Sequence, residues 1–372
     1  MENSIKYSIV PAYSKLTQII LGITAFFFIL YIGQGIIIPL IFATLIGILL
    51  NPIVNKLTTY KIPRIAAIIL SILLSMVVMA ILLYMISNQV MNFTETFPQF
   101  KSKFNWLSHE LIHWCSHTFN ITTIQIKKWI SQKEISLMEA TTPVIGYSLG
   151  VLASFVFLLP VYVFMILYYK PLFLEFIARM FPKEKHNMVV EVLVETKSLI
   201  TGYLIGLLIE AAIIAALNSV GLLIIGIQYA VLIGILGALL NMIPYIGGLI
   251  ALAIPMLIAF ATESYIASIY VLIVYIVIQF IDNNIIVPRI VASKVQLNAL
   301  VSIVVVLIWG ALWGIPGMFL AIPLTAIMKV IFDRIPEMQP FGFLLGDNQP
   351  KIGKMIFDFN SYTLYNRNTK NK

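Results

Sequence analysis

Asn241-Met242-Ile243-Pro244-Tyr245-Ile246-Gly247-Gly248 stands in the middle of an otherwise apolar run from about 229 to 261. Proline and glycine collect where the run is cut, and each half is nearer 15 residues than the roughly 20 needed to cross about 30 Å of hydrocarbon. Backbone that leaves helical geometry inside a bilayer has to bury its freed N–H and C=O groups in protein or line a wet cavity. The stretch therefore reads as a short helical hairpin or a re-entrant element. A second block, 298–331, is broken in the same way at Gly310-Ala311-Leu312-Trp313-Gly314-Ile315-Pro316-Gly317.

Working outward, further apolar blocks lie at 16–32, 36–50, 65–87, 143–169, 199–222 and 265–281. The expected fold is all-α: a polytopic integral membrane protein of about eight spans, two of them broken or hairpin-like. Composition agrees, with 60% of residues apolar and 11% charged, against about 45–50% and 25% in soluble domains. A soluble protein this apolar could not cover its surface with polar groups. The first block follows Lys6 and Lys15, lacks a small-x-small cleavage site, and is read as a retained span. The single cysteine, Cys115, excludes an intrachain disulfide and a multi-cysteine metal site.

The net charge of +8 is explained by topology. With a cytoplasmic N-terminus and each broken block a hairpin, the inside holds Lys6, Lys15, Lys56, Lys61, Arg64, Lys170, Arg179, Lys183, Lys185, Lys197, Arg289, Lys294, Lys329, Arg334 and the tail cations. Lys101, Lys103, Lys127, Lys128 and Lys133 fall outside, in one long segment. That asymmetry is the positive-inside rule. It places both termini in the cytoplasm, and no nucleic-acid partner is required. Four regions are expected: membrane spans over 1–87, an extracytoplasmic insert over 88–142, a membrane core over 143–335, and a cytoplasmic tail over 336–372, loosely ordered from about 338. In the insert, Phe100, Phe104, Leu107, Leu111 and Trp114 form one apolar helical stripe, suited to a membrane surface or to a second copy of the chain.

The broken blocks carry the first candidates for a transport path. Transporters use such breaks to aim half-helix ends at a solute near the midplane. Asn241, Pro244, Gly247, Gly248 and Pro255 supply one break, and Gly310, Gly314, Pro316, Gly317 and Pro323 the other. The bland alternative is a tight turn at the membrane face. Glu210 is the only carboxylate or cation between 199 and 261. A charged carboxylate at the bilayer centre is expensive, so Glu210 is expected to be protonated, paired or facing water, and it can serve as a proton or cation carrier or as a hydrogen-bonded helix contact. Gln279, Asp282, Asn283 and Asn284, followed by Pro288 and Arg289, cluster at the end of the 265–281 block. They can coordinate a cation or line a gate, but capping the last turn before a loop is the simpler reading.

Other signals point to no chemistry. His109, His113 and His117 are spaced to line the polar face of the outer helix, but no acidic or thiolate ligand joins them, so a solvated face or a mild pH sensor is expected rather than a metal site. Gly146-Tyr147-Ser148-Leu149-Gly150 fits G-x-S-x-G without its strand-turn-helix context, and Gly202-Tyr203-Leu204-Ile205-Gly206 reads as a close helix contact. There is no P-loop. No cofactor is called for, and an enzyme is not expected.

Three motifs in order resemble the AI-2E family of transporters, also called PerM-like permeases. They are Leu240 to Gly248 with Pro255; Gln279-Phe280-Ile281-Asp282-Asn283-Asn284-Ile285-Ile286-Val287-Pro288-Arg289-Ile290; and Leu312-Trp313-Gly314-Ile315-Pro316-Gly317-Met318-Phe319-Leu320-Ala321-Ile322-Pro323-Leu324. The resemblance covers roughly residues 10 to 335, and the N-terminal third matches in layout, with Pro39 and Asn51-Pro52 in a hairpin. It implies about eight spans in a bacterial inner membrane and a homo-oligomer, a pentamer being one form. Members named for activity export autoinducer-2, and some relatives resemble sodium(lithium)/proton antiporters. The resemblance does not carry a substrate. The leading expectation is an exporter or facilitator of a small polar, uncharged solute. Cation/proton antiport through Glu210 and Asp282, and a non-transporting membrane scaffold, are the alternatives.

Overall fold

A computed structural model describes residues 12–81, 157–244, 247–291 and 297–347, together with isolated positions between 83 and 124 and at 295. Most of the insert, including His109 and Cys115, lies outside the described residues, as do residues 146–150, Tyr245 and Ile246. Among the described residues every regular element is helical: α1 (Ala12–Ile32), α2 (Gln34–Thr59), α3 (Arg64–Ile81), α4 (Phe157–Tyr168), α5 (Lys170–Met180), α6 (His186–Ile225), α7 (Ala230–Asn241), α8 (Gly247–Thr262), α9 (Tyr265–Ile281), α10 (Ala299–Arg334) and α11 (Gln339–Leu345). Where they are described, the apolar blocks of the sequence coincide with helices or helix pairs, the 143–169 block being described from Phe157. By length and composition alone, five reach the size of a membrane span: Gln34–Thr59, Arg64–Ile81, Lys183–Ile225, Tyr265–Val291 and Ala299–Arg334, the last of them interrupted at Gly314. A sixth span is added if α4 and α5, bent by 60° to each other, count as one.

The apolar side chains face outward in a way water would not tolerate. Phe28, Ile29 and Ile32 of α1, Leu73 and Leu74 of α3, and Ile273, Ile276 and Val277 of α9 are all exposed. This is a multi-pass membrane protein.

α6 is the spine. Its 40 residues reach about 60 Å, twice the hydrocarbon thickness, so several turns project from the membrane. The projecting turns carry Glu191 and Glu195, which hold Arg334 at the end of α10 at 3.6 and 2.7 Å. α6 stops at Gly226, whose left-handed φ of 86° suits a residue without Cβ. α7 then returns along α6, with Gly234 pressed on Ser219.

Both broken blocks fold back on themselves. α7 and α8 are joined by the turn at Met242–Pro244, and Gly247 lies against the Leu240 carbonyl. In α10 the reversal is at Gly314, with φ 63° and ψ −143°. Gly317 touches the Trp309 carbonyl and Gly310 the Met318 side chain, pairs that a straight helix would hold about 12 Å apart. The far ends meet as well: Asn298 caps α10 by accepting from the Val301 N–H at 2.9 Å, and its amide donates to the carbonyls of Leu344 at 2.7 Å and Gly346 at 3.1 Å. α10 is therefore a hairpin whose two ends lie on one side.

Two expectations are corrected. The chain does not cap and leave α9 at 281: the helix continues as a π-helix over Asp282–Val291. Pro288 explains the change, because it lacks an N–H and its ring clashes with the carbonyl four residues back in α geometry. The tail, expected to loosen from about 338, is helical over Gln339–Leu345, where Asn298 anchors α11, and residues beyond 347 lie outside the described ones.

Candidate functional site

Glu210, Asn241, Gln279 and Asp282 converge in the interior. Glu210 belongs to the face of α6 that also buries Tyr203, Leu207 and Ile214, the four-three-four spacing of one helical stripe. Gln279 and Asp282 extend the stripe of α9 on which Tyr275 is buried. Asn241 reaches them because α7 ends there, three residues before Pro244.

Asn241 is the hub. Its Nδ2 donates to Asp282 Oδ2 at 2.8 Å and, more weakly, to Glu210 Oε1 at 3.5 Å, while its Oδ1 accepts from Gln279 Nε2 at 2.9 Å. One amide thus joins three helices, α6, α7 and α9. Both acids are buried, Glu210 at 6% exposure and Asp282 at 2%. Asp282 Oδ1 has no hydrogen-bond partner among the described residues, and neither has the Tyr275 hydroxyl. Uncommitted polar groups of this kind are costly in the interior.

These residues border a cavity of about 610 Å³, within the usual range for small-molecule sites. Glu210, Asn241, Pro244, Gly248, Gln279, Asp282 and Asn283 all line it. Its other walls are mostly apolar, with Tyr203, Tyr275 and Ser302 adding hydroxyls. Gly248 is the point of closest approach: a Cβ there would collide with the Gln279 amide and come within 3.2 Å of Asn241 Oδ1.

The remaining sequence candidates sit elsewhere. Gly247 makes the α7–α8 turn, Pro255 is buried within α8, and Pro288 shapes the π-helix. Gly314, Gly317 and Pro323 build the α10 hairpin, which reaches the cavity only through Ser302 and Ile322. The hairpin instead ties to the N-terminal region, where Trp313 Nε1 donates to the Leu30 carbonyl at 3.0 Å. Tyr275 and Ser302, which line the cavity, escaped the sequence reading, and so did the buried Asn218. Asn218 is buried at 2% exposure, and a Cβ on Gly237 would lie 3.3 Å from both its Nδ2 and the Tyr275 hydroxyl. It follows Glu210 by eight residues, on the same helical face, which is the signal that could have found it.

Two carboxylates and two amides make a hard-oxygen set suited to a cation or a hydrogen-bonding solute. No group of three or more His, Cys, Asp or Glu side chains gathers among the described residues. The arrangement offers donors and acceptors in a partly apolar chamber between helix ends.

The model of the AI-2E transporter family matches residues 20–337. The AI-2 transport protein TqsA of Escherichia coli K12 is 27% identical over 326 residues, covering 84% of this chain and 90% of that protein. A Haemophilus influenzae protein named as a candidate transport protein is 29% identical over 344 residues, covering 90% and 97%. The candidate permease PerM of Escherichia coli K12 is 27% identical over 194 residues, covering 50% and 53%. With the match running from α1 through α10 and over the cavity between them, this chain belongs to the AI-2E family of membrane transporters.

Proposed function

We propose that this transporter passes a small, polar, uncharged solute through the chamber at Asn241, with autoinducer-2 as one candidate. The observation that carries the reading is the Asn241 hub: an amide donor, not a cation, lies between the two acids. A neutral solute with several hydroxyls can exchange hydrogen bonds with Asn241, Gln279 and Asp282 as it passes, one bond for another. The apolar remainder of the wall lets it leave again. The likeness to TqsA supports this choice of solute class.

Glu210, Asn241, Pro244, Gly248, Gln279, Asp282 and Asn283 are proposed as the solute path, with Gly247, Pro255, Pro288, Gly314, Gly317 and Pro323 shaping the helix breaks around it. The protein is proposed to work in a bacterial inner membrane with both termini in the cytoplasm, as a homo-oligomer, with no cofactor and no catalytic step. The insert at 88–142 is proposed as its extracytoplasmic part.

A second reading, sodium(lithium)/proton antiport, is favoured by one observation: Glu210 and Asp282, far apart in sequence, share a single donor. Efflux of autoinducer-2 from loaded everted vesicles or proteoliposomes tests the first reading. Transport that falls by about tenfold or more in Asn241→Ala supports it. Equal efflux from wild-type and protein-free vesicles for autoinducer-2 and for similar uncharged polyols would sink it.

A further inference from the structure

A second cavity, of about 560 Å³, lies between the α2–α3 turn and the α4–α5 elbow, remote in sequence from the solute path. Its polar lining comes from Asn51, Asn55, Thr58, Arg64 and Lys170. We propose that it binds a phosphate-bearing anion, either the headgroup of an anionic lipid or a soluble phosphate.

The charges there are one-sided. Arg64 is the first residue of α3 and Lys170 the first of α5. The start of a helix carries the positive end of its dipole, where an anion is stabilised and a cation is not. Lys197 of α6 adds a third positive charge that acts on Lys170, as does Arg64. Among the described residues no carboxylate forms an ion pair with Arg64, Lys170 or Lys197. Two cations and two helix starts thus face one space, with the Lys197 charge near Lys170, and among the described residues no carboxylate pairs with any of the three.

The hydrogen bonds leave a vacancy of the matching kind. Arg64 Nη2 donates to the Leu167 carbonyl at 3.1 Å, and Lys170 Nζ donates to Asn51 Oδ1 at 3.0 Å. Asn51 is buried, at 6% exposure, and its Nδ2 has no partner among the described residues. A buried donor left unmade costs free energy comparable to a lost hydrogen bond. A phosphate oxygen would accept from Asn51 Nδ2 and from Lys170, and the guanidinium of Arg64 suits a second oxygen. Val54, Ile62 and Leu174 give the same cavity an apolar wall, against which an acyl chain can lie.

The test uses the full chain in a zwitterionic detergent and follows thermal unfolding. Inorganic phosphate is compared with chloride at matched ionic strength. Short-chain phosphatidylglycerol is compared with phosphatidylcholine of the same chain length. A rise in Tm of about 2–5 °C is expected from a ligand held at this site. A rise with inorganic phosphate identifies a soluble anion, and a rise with phosphatidylglycerol alone identifies a lipid. Asn51→Asp supplies the missing negative charge without changing shape, so it is expected to fold, to raise the ligand-free Tm and to lose the ligand shift. Arg64→Gln is expected to weaken ligand binding about tenfold or more. Absence of any shift with both probes overturns the proposal, and so does a shift that survives unchanged in Asn51→Asp and Arg64→Gln.

Discussion

The Asn241 amide donates to Asp282 Oδ2 at 2.8 Å, tying the broken end of α7 to the point where α9 widens into a π-helix. Both partners sit where regular α-helix ends, Asn241 as the last residue of α7 and Asp282 as the first of the π-helix, so the bond joins two helix irregularities. Its strength is expected to be modest. Interhelical hydrogen bonds in membrane proteins average about 0.6 kcal/mol and reach about 1.7 kcal/mol. A double-mutant cycle on Asn241→Ala and Asp282→Asn, read by unfolding in detergent, is expected to give a coupling near 1 kcal/mol. Strictly additive effects would mean that the two side chains do not interact in the folded protein.

Gly248 separates function from folding. A Cβ at this position meets the far end of the Gln279 side chain rather than backbone. Gln279 can swing away, so Gly248→Ala is expected to cost less than about 1 kcal/mol of stability, within the range of tolerated substitutions. The swing breaks the Gln279–Asn241 bond and is expected to lower transport by about tenfold. Unchanged transport with unchanged Tm would remove Gln279 from the solute path.

Much of this architecture was legible because bilayer residence constrains sequence so strongly. The apolar block lengths located the helices, and Pro244 with Gly247 and Gly248 located the first hairpin. Gly206 was read as a close helix contact, and a Cβ there would lie 2.8 Å from the Ile290 carbonyl. The site was only half legible. Gln279 and Asp282 looked like a helix end because Pro288 usually signals one. A π-helix accommodates that proline at a cost no local pattern reveals. Their meeting with Glu210 is a tertiary fact, set by how α9 crosses α6. Asn298 as the anchor of α11 was equally hidden, since its partners lie 46 and 48 residues away.

The α10 hairpin is expected to be intolerant at two glycines for different reasons. At Gly314 the backbone, φ 63° and ψ −143°, lies in a region essentially closed to residues with a Cβ, so Gly314→Ala is expected to cost about 1–3 kcal/mol. At Gly317 a Cβ would strike the Trp309 carbonyl, a backbone atom that cannot rotate away. Gly35→Ala serves as the comparison, since nothing lies within 4 Å of its Cβ position and alanine favours the helix by up to about 1 kcal/mol. Thermal unfolding is expected to show losses for the first two and none for the third. A Gly314→Ala protein as stable as wild type would rule out the sharp reversal at this residue.

Glu210 decides between the two transport readings, because of the two acids it is the less committed. Its oxygen lies 3.5 Å from the Asn241 donor, against 2.8 Å for Asp282. If the chamber serves a neutral solute, Glu210 acts only through hydrogen bonds, and Glu210→Gln keeps its shape and an acceptor oxygen. Solute transport is then expected to fall by less than about tenfold, the effect of altering a single hydrogen bond. A pH-sensitive dye in everted vesicles is expected to show no proton movement on adding sodium or lithium. Antiport gives the opposite pattern. It requires a group that exchanges a proton for a cation, which glutamine cannot do, so a dye response in the wild type would vanish in the variant. A cation-driven response that Glu210→Gln abolishes would therefore replace the neutral-solute reading with antiport. A cation-driven response that persists in the variant would move the carrier role to Asp282, the other buried acid bound by Asn241.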